Sequence, residues 1–234
     1  MKKYFVLLFV VLIFNIKPAA SQEVYSVSSA ELLFQFAKLE NPALPGITNN
    51  LRFTLFFHYG QYWHMDFTNN VGLFSGMAIR NVGFIYDTPD PTKTIRRSYT
   101  VGIPLALKLG AFDKHIYIMG GGEYELLFHY RARQWNSNDR DGAVIKEGEW
   151  FSDKTRRFVP SVFAGVQFPG GVNFKFKYYL HGFLNEDYVG PDLGGVSDFS
   201  DFTRQDMFYV SVSWQFRTDA FKNFTDHYNV AFTD

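Results

Sequence analysis

The segment Phe208-Tyr-Val-Ser-Val-Ser-Trp-Gln-Phe216 decides the fold. Phe208, Val210, Val212, Trp214 and Phe216 fall on one face, and Tyr209, Ser211, Ser213 and Gln215 on the other. Period two sustained over the segment is a strand with one oily and one polar face. Seven further segments read the same way: Glu31–Lys38, Leu51–Phe67, Val71–Tyr86, Ser98–Leu109, Ile116–Arg133, Phe158–Phe168 and Val172–Phe183. In Ser98–Leu109 the outer row Tyr99, Val101, Ile103, Leu105, Leu107 and Leu109 is unbroken. Eight is an even number, as a single-chain bacterial barrel requires. Connections after the odd segments are long (Leu39–Asn50, Asp87–Arg97, Gln134–Arg157, Leu184–Asp206). Those after the even ones are short (Thr68–Asn70, Gly110–His115, Pro169–Gly171). A membrane barrel sorts its loops in this way and a soluble sandwich has no reason to. The expected fold is all-β: an eight-stranded antiparallel transmembrane barrel, an up-and-down meander.

The start of the chain fits an export signal. Lys2 and Lys3 precede the apolar run Tyr4–Ile16, and Ala19-x-Ser21 offers a small-x-small cleavage site. The run is shorter than the roughly 20 residues that span a bilayer as a helix. The organisation expected is a signal peptide over 1–21, a barrel over 22–216 and a periplasmic tail over 217–234, in the outer membrane of a Gram-negative bacterium. In the alternative arrangement Phe224–Thr233 is a strand and Glu31–Lys38 is not. There are no cysteines, which excludes a disulfide framework and thiolate chemistry. Formal net charge is zero, which argues against nucleic acid as a partner. Aromatic residues make up 19% of the chain, enough for belts at both membrane interfaces. Trp63, Phe67, Trp214 and Phe216 are assigned to one belt, and Tyr99, Tyr130 and Tyr178 to the other.

The polar faces of these strands define the expected interior. Arg52, Arg80, Lys108, Arg131, Arg133, Lys175 and Lys177 face inward, with Glu31, Asp66, Glu123 and Glu125. Eight strands leave room for side chains alone, and buried charges need partners. A paired polar core is therefore expected, with Glu123 reaching Lys175 or Lys177 across the lumen. On this register Ser211→Arg is milder than Val212→Arg, provided that the lumen adapts. Pro104 is expected as an inward-facing bulge, and Pro160 above the membrane rim.

Catalytic chemistry finds little footing. A serine hydrolase needs a base beside its nucleophile, and outer-membrane lipid A deacylases carry His-x-Ser on a strand. None of His58, His64, His129 and His181 is followed by that pattern, and all four face inward on this register. Asp198-x-x-Asp201 is too sparse for a calcium loop. Gly120-Gly121-Gly122 lacks the lysine of a phosphate loop and serves wall curvature instead. No catalytic residue, cofactor or metal site is assigned, and a lipid-modifying enzyme or a narrow channel stands as the alternative.

Ala30–Phe36, Leu51–Thr54, Gly76–Phe84, Gly102–Lys108 and the last strand together resemble the small outer-membrane barrels of Bacteroidetes-type bacteria. Ile103-Pro-Leu-Ala-Leu-Lys108 also looks like a strand of the PorT-like barrels of the type IX secretion system. The resemblance implies an outer-membrane address, an eight-stranded OmpX-like barrel and no catalytic residues. Expected partners are outer-membrane lipid or lipopolysaccharide, and a surface ligand or a secretion-complex protein; a monomer is expected.

Overall fold

The computed structural model describes residues 23–90 and 92–218. In chain order the strands are β1 (Glu23–Glu40), β2 (Thr48–Asn50), β3 (Arg52–Thr54), β4 (Tyr59–Asp66), β5 (Val71–Thr88), β6 (Thr92–Ala111), β7 (Ile116–Trp135), β8 (Val144–Trp150), β9 (Phe158–Gln167), β10 (Val172–Tyr179), β11 (Val189–Asp192), β12 (Gly195–Asp198) and β13 (Arg204–Arg217). Eight staves form a closed antiparallel ring in the order β13, β10, β9, β7, β6, β5, β4, β1, and β1 returns to β13. The seam runs from Val27 opposite Arg217 to Glu40 opposite Arg204. β3 continues the line of β4 along β1, and β8 that of β9 along β7.

Period two in sequence becomes inside and outside. On β6, Ile103, Leu105 and Leu107 are exposed, while Gly102, Pro104, Ala106 and Lys108 are buried. So large an exposed apolar surface is untenable in water. In a bilayer it is the lipid-facing band, and closure leaves no unpaired sheet edge in hydrocarbon. Trp63, Trp214 and Phe216 are exposed near the end with short turns. Of these turns, Pro169–Gly171 needs positive φ at Gly170 (78°) and Gly171 (82°), which glycine adopts freely.

The strands differ from expectation where the ladder is irregular. Leu51–Phe67 is not continuous: it breaks between Thr54 and Tyr59, where Phe57 has φ 67° and Phe56 turns outward. A β-bulge on β7 leaves Leu127 opposite Thr100 and His129 opposite Tyr99, so Phe128 is the extra residue. One extra residue inverts every side chain beyond it. Tyr130 is therefore buried inside and does not join an aromatic belt, and Arg131 and Arg133 lie exposed outside the lumen. Pro104 forms no bulge: the β5–β6 ladder opens between Ser75–Leu105 and Ala78–Gly102 without changing register. Ser75 Oγ donates to the Pro104 carbonyl at 2.8 Å across that gap. β5 and β6 run on to Thr88 and Thr92, so most of Asp87–Arg97 is hairpin rather than loop. β10 ends at Tyr179, leaving His181 exposed beyond it. Glu31–Lys38 lies within β1, so the arrangement without that strand is set aside. The export signal, a mature start at Gln22 and nearly all of the 217–234 tail lie outside the described residues; Arg217 ends β13.

Ser211 is fully buried opposite Lys175, whereas Val212 faces outward. Val212→Arg is expected to cost about 2–4 kcal/mol if near mid-bilayer. Ser211→Arg adds a cation beside Lys175 in a filled interior and is expected to cost roughly 3 kcal/mol or more. Urea unfolding in lipid vesicles measures both; a mild Ser211→Arg would mean that the lumen yields.

Candidate functional site

The inward residues stack in tiers. Nearest the short turns, Lys108 pairs with Asp66 at 2.5 Å, donates to Tyr25 Oη at 2.8 Å and meets His64 Nδ1 at 3.1 Å. The rings of Phe112 and Tyr117 lie 4.5 and 5.2 Å from its ammonium. Above lies a small apolar tier of Tyr62, Phe74, Ala78, Ala106, Met119 and Phe163.

The next tier closes the lumen. Arg80 Nε donates to Glu31 at 2.6 Å, its Nη1 pairs with Glu123, and its Nη2 donates to Tyr62 Oη at 3.0 Å. Lys175 meets Glu31 at 2.6 Å, and Lys177 meets Glu123 at 2.9 Å and Glu125 at 3.0 Å. Strands β7 and β10 are separated by β9, so the Lys177 pairs cross the interior. Three carboxylates face three cations, all buried, and the tier is neutral. Side chains this large fit only because Gly102 has none: a Cβ there would collide with the Glu123 carboxylate. The remaining void beside Arg80, Glu31, Glu123 and Lys175 is about 10 Å³, room for about one water. Arg52, also buried, pairs with no acid among the described residues; it donates to Asn81 O at 3.1 Å and Oδ1 at 2.7 Å.

Above the ion pairs the interior is apolar and is continued by the loops. Phe183, Leu184, Leu193, Phe199 and Phe202 pack into the barrel end against Leu33, Val82, Phe84 and Tyr86. The lid carrying them contains the β11–β12 hairpin and is latched by charge. Arg96 grips Asp192 with two bonds, Nη1–Oδ1 at 3.0 Å and Nη2–Oδ2 at 2.5 Å. Arg96 also donates to Tyr130 Oη at 2.5 Å and lies 5.0 Å from the Phe199 ring. Ser197 Oγ donates to Asp192 at 3.0 Å. A second clasp holds β8 to the lid: buried Lys154 pairs with Glu147 and with Glu149 at 3.1 Å, and Leu193 N donates to Glu147 at 3.2 Å. Burial works against the Asp192 carboxylate, but the hydrogen bonds and charge of Arg96 outweigh it and hold its pKa below the ordinary aspartate value.

The structure thus brings Arg80, Glu123, Glu125, Lys175 and Lys177 together, gives Lys108 its own tier, sets Arg52 apart and puts Arg131 outside. Of the histidines, His58 and His64 are buried, and His129 stacks on Trp150 on the outer wall at 4.3 Å between centroids. Asp198 caps the Phe199–Asp201 turn, accepting from Ser200 N at 2.9 Å. Sequence reading missed the latch. Extending the alternation of β6 below Ser98 would have turned Arg96 inward, but nothing local to Asp192 identifies it as the partner.

No protein-family model matches the chain, and no curated protein matches it. Solved structures with likeness include Ail, the attachment invasion locus protein of Yersinia pestis, at 11% identity and TM-score 0.34, covering 82% of this chain and 99% of that one. Neisserial surface protein A shares 11% identity, with TM-score 0.38 and coverage of 82% and 97%. CarO2 of Acinetobacter baumannii shares 11%, with TM-score 0.37 and coverage of 83% and 100%. Likeness at this level carries no argument about activity or ligand.

Two measurements test the interior. Arg80→Met leaves Glu31 and Glu123 short of a counter-charge and is expected to cost about 3–5 kcal/mol in vesicle unfolding. For the latch the sign follows from a depressed carboxyl. Its stabilisation is present above the unfolded aspartate value of about 3.9 and is lost as pH falls through the lower folded value. The lid is therefore expected to resist protease from neutral pH down to about 4 and to open only below that. Asp192→Asn is expected to make residues 184–203 cleavable at neutral pH.

Proposed function

We propose that the protein is an outer-membrane barrel of structural and interaction type, working through its lidded end rather than through its lumen or by catalysis. One observation carries this reading: the interior is filled by a neutral ion-pair tier and then covered by a latched lid. A conduit needs a continuous polar path, and a void of about 10 Å³ beside Arg80 leaves none at that level. Long loops of membrane barrels face the cell exterior and short turns the periplasm, which argues for a lid on the outer side. There the β11–β12 hairpin presents exposed Val189 and Val196, beside a cleft of about 320 Å³ lined in part by Ala43, Leu44, Leu193 and Phe202. A latched, exposed surface over a filled lumen suits recognition of a surface ligand or a neighbouring protein. Closure of the chain on its own seam supports a monomer.

The enzymatic alternative needs a base with a nucleophile in reach. His129 alone among the described histidines lies on the outer wall, and its ring is stacked on Trp150 with no hydrogen bond to serine or carboxylate among the described residues. The likeness of Ile103–Lys108 to PorT-like barrels rests on residues that build wall: Ile103, Leu105 and Leu107 face lipid, and Lys108 fills the lowest tier. It does not favour secretion over other interactions. The purified protein in planar bilayers is expected to show no single-channel steps, and Asp192→Asn none either, because the ion-pair tier lies beneath the lid. Steady conductance by the wild type would overturn this reading.

A further inference from the structure

Beyond the bulge at Phe128 the outer wall changes character. Tyr99 on β6, His129 on β7 and Trp150 on β8 are cross-strand neighbours, and Phe57 stands edge-on to Tyr99 at 6.1 Å. They form an aromatic tier of the kind that marks the membrane interface. Two residues higher, about 7 Å along the strands, Arg97 on β6 lies directly opposite Arg131 on β7. Two residues higher again, Arg133 lies opposite Lys146 on β8. Among the described residues no carboxylate pairs with any of these four cations. The nearby acids are engaged elsewhere: Glu147 and Glu149 hold Lys154, and Asp87 faces Lys93 at 3.5 Å.

Like charges directly opposite on a sheet are destabilising. Arg97, Arg131 and Arg133 are close enough to act on one another. Inside, Arg80, Lys108, Lys175 and Lys177 each meet a carboxylate; here four cations gather with none, in a protein of zero net charge. The tier of Arg97 and Arg131 is also uncovered at its sides. Gly83 is opposite Arg97 and Gly148 is opposite Arg131, so neither cross-strand neighbour offers a side chain to cover the arginine. Arg131 is exposed and Arg97 half-buried, at the level of the layer in which lipid headgroups sit. Guanidinium forks bind phosphate with two parallel bonds.

We propose that this face binds the phosphate of a phosphorylated glycolipid in the leaflet at the lidded end, with Arg97 and Arg131 on the phosphate, Arg133 and Lys146 above it, and the aromatic tier against the apolar part below. The site faces sideways, within the membrane plane, and this selects a lipid over a dissolved anion. It is separate from the lid and goes beyond the reading given there.

The test uses the full chain refolded into phosphatidylcholine vesicles, alone or doped with bisphosphorylated lipid A or with its dephosphorylated form. The heat-induced gel shift gives the unfolding midpoint. The wild type is expected to gain several degrees with the bisphosphorylated lipid and nothing with the dephosphorylated one. Combined Arg97→Ser, Arg131→Ser and Arg133→Ser is expected to abolish the gain. Should that variant not fold, Gly148→Glu serves alone. A Cβ at position 148 would sit 3.8 Å from the Arg131 side chain, so the glutamate can occupy the arginine internally and is expected to remove the gain. Lys114→Ser, an exposed cation at the opposite end, is expected to keep it. The proposal is overturned if the wild type gains nothing, if the dephosphorylated lipid works equally well, if inorganic phosphate in the water gives the same gain without lipid A, or if Gly148→Glu retains the gain in full.

Discussion

The seam between β1 and β13 is the constraint on which the rest of the molecule depends. Hydrocarbon offers no hydrogen bonds, so a sheet inside it must have no edge. That single demand accounts for two features that look unrelated. The first and last staves pair along the whole length of β13, from Val27–Arg217 to Glu40–Arg204. The opening at Pro104, where a backbone donor is missing, is covered by Ser75 Oγ, which satisfies the proline carbonyl.

Closure at eight strands fixes the interior volume, and the volume in turn dictates the chemistry. A lumen this narrow cannot keep water around charged side chains, so each charge needs a partner within it. Glu31, Glu123 and Glu125 against Arg80, Lys175 and Lys177 is the arrangement that results, and its cross-lumen contacts tie β7 to β10 and β1 to β5. A buried pair of this kind adds little stability over an apolar filling of equal volume. What it does achieve is register: a slip of one residue in any of these strands would point a charged side chain into lipid.

The wall was legible in the amino-acid sequence because alternation is a local signal. Leu105 and Lys108, or Phe174 and Lys175, declare their sides within a few residues. Two things were not legible. The bulge at Phe128 adds one residue to an otherwise regular run, and the run Leu126-Leu-Phe128 is apolar on both sides of the slip, so polarity gives no warning. Everything past it on β7, including Tyr130, Arg131 and Arg133, inverts. The lid was hidden for a different reason. Asp192 and Arg96 are 96 residues apart, and in a stretch rich in aspartate only the fold shows which carboxylate the arginine takes.

The same inversion explains why the charges divide as they do. Had the alternation of β7 continued, Arg131 and Arg133 would have pointed into the lumen above a tier whose three acids are already matched, leaving two cations buried without partners. Such a charge is several kcal/mol too costly to bury. The bulge turns both arginines out and brings Tyr130 in, where its hydroxyl accepts from Arg96 and its ring packs in the apolar cluster beneath the lid. One inserted residue therefore supplies the latch with its tyrosine and the outer wall with two of its four unpaired cations. The two surfaces of this barrel end are built by a single irregularity in its longest hairpin.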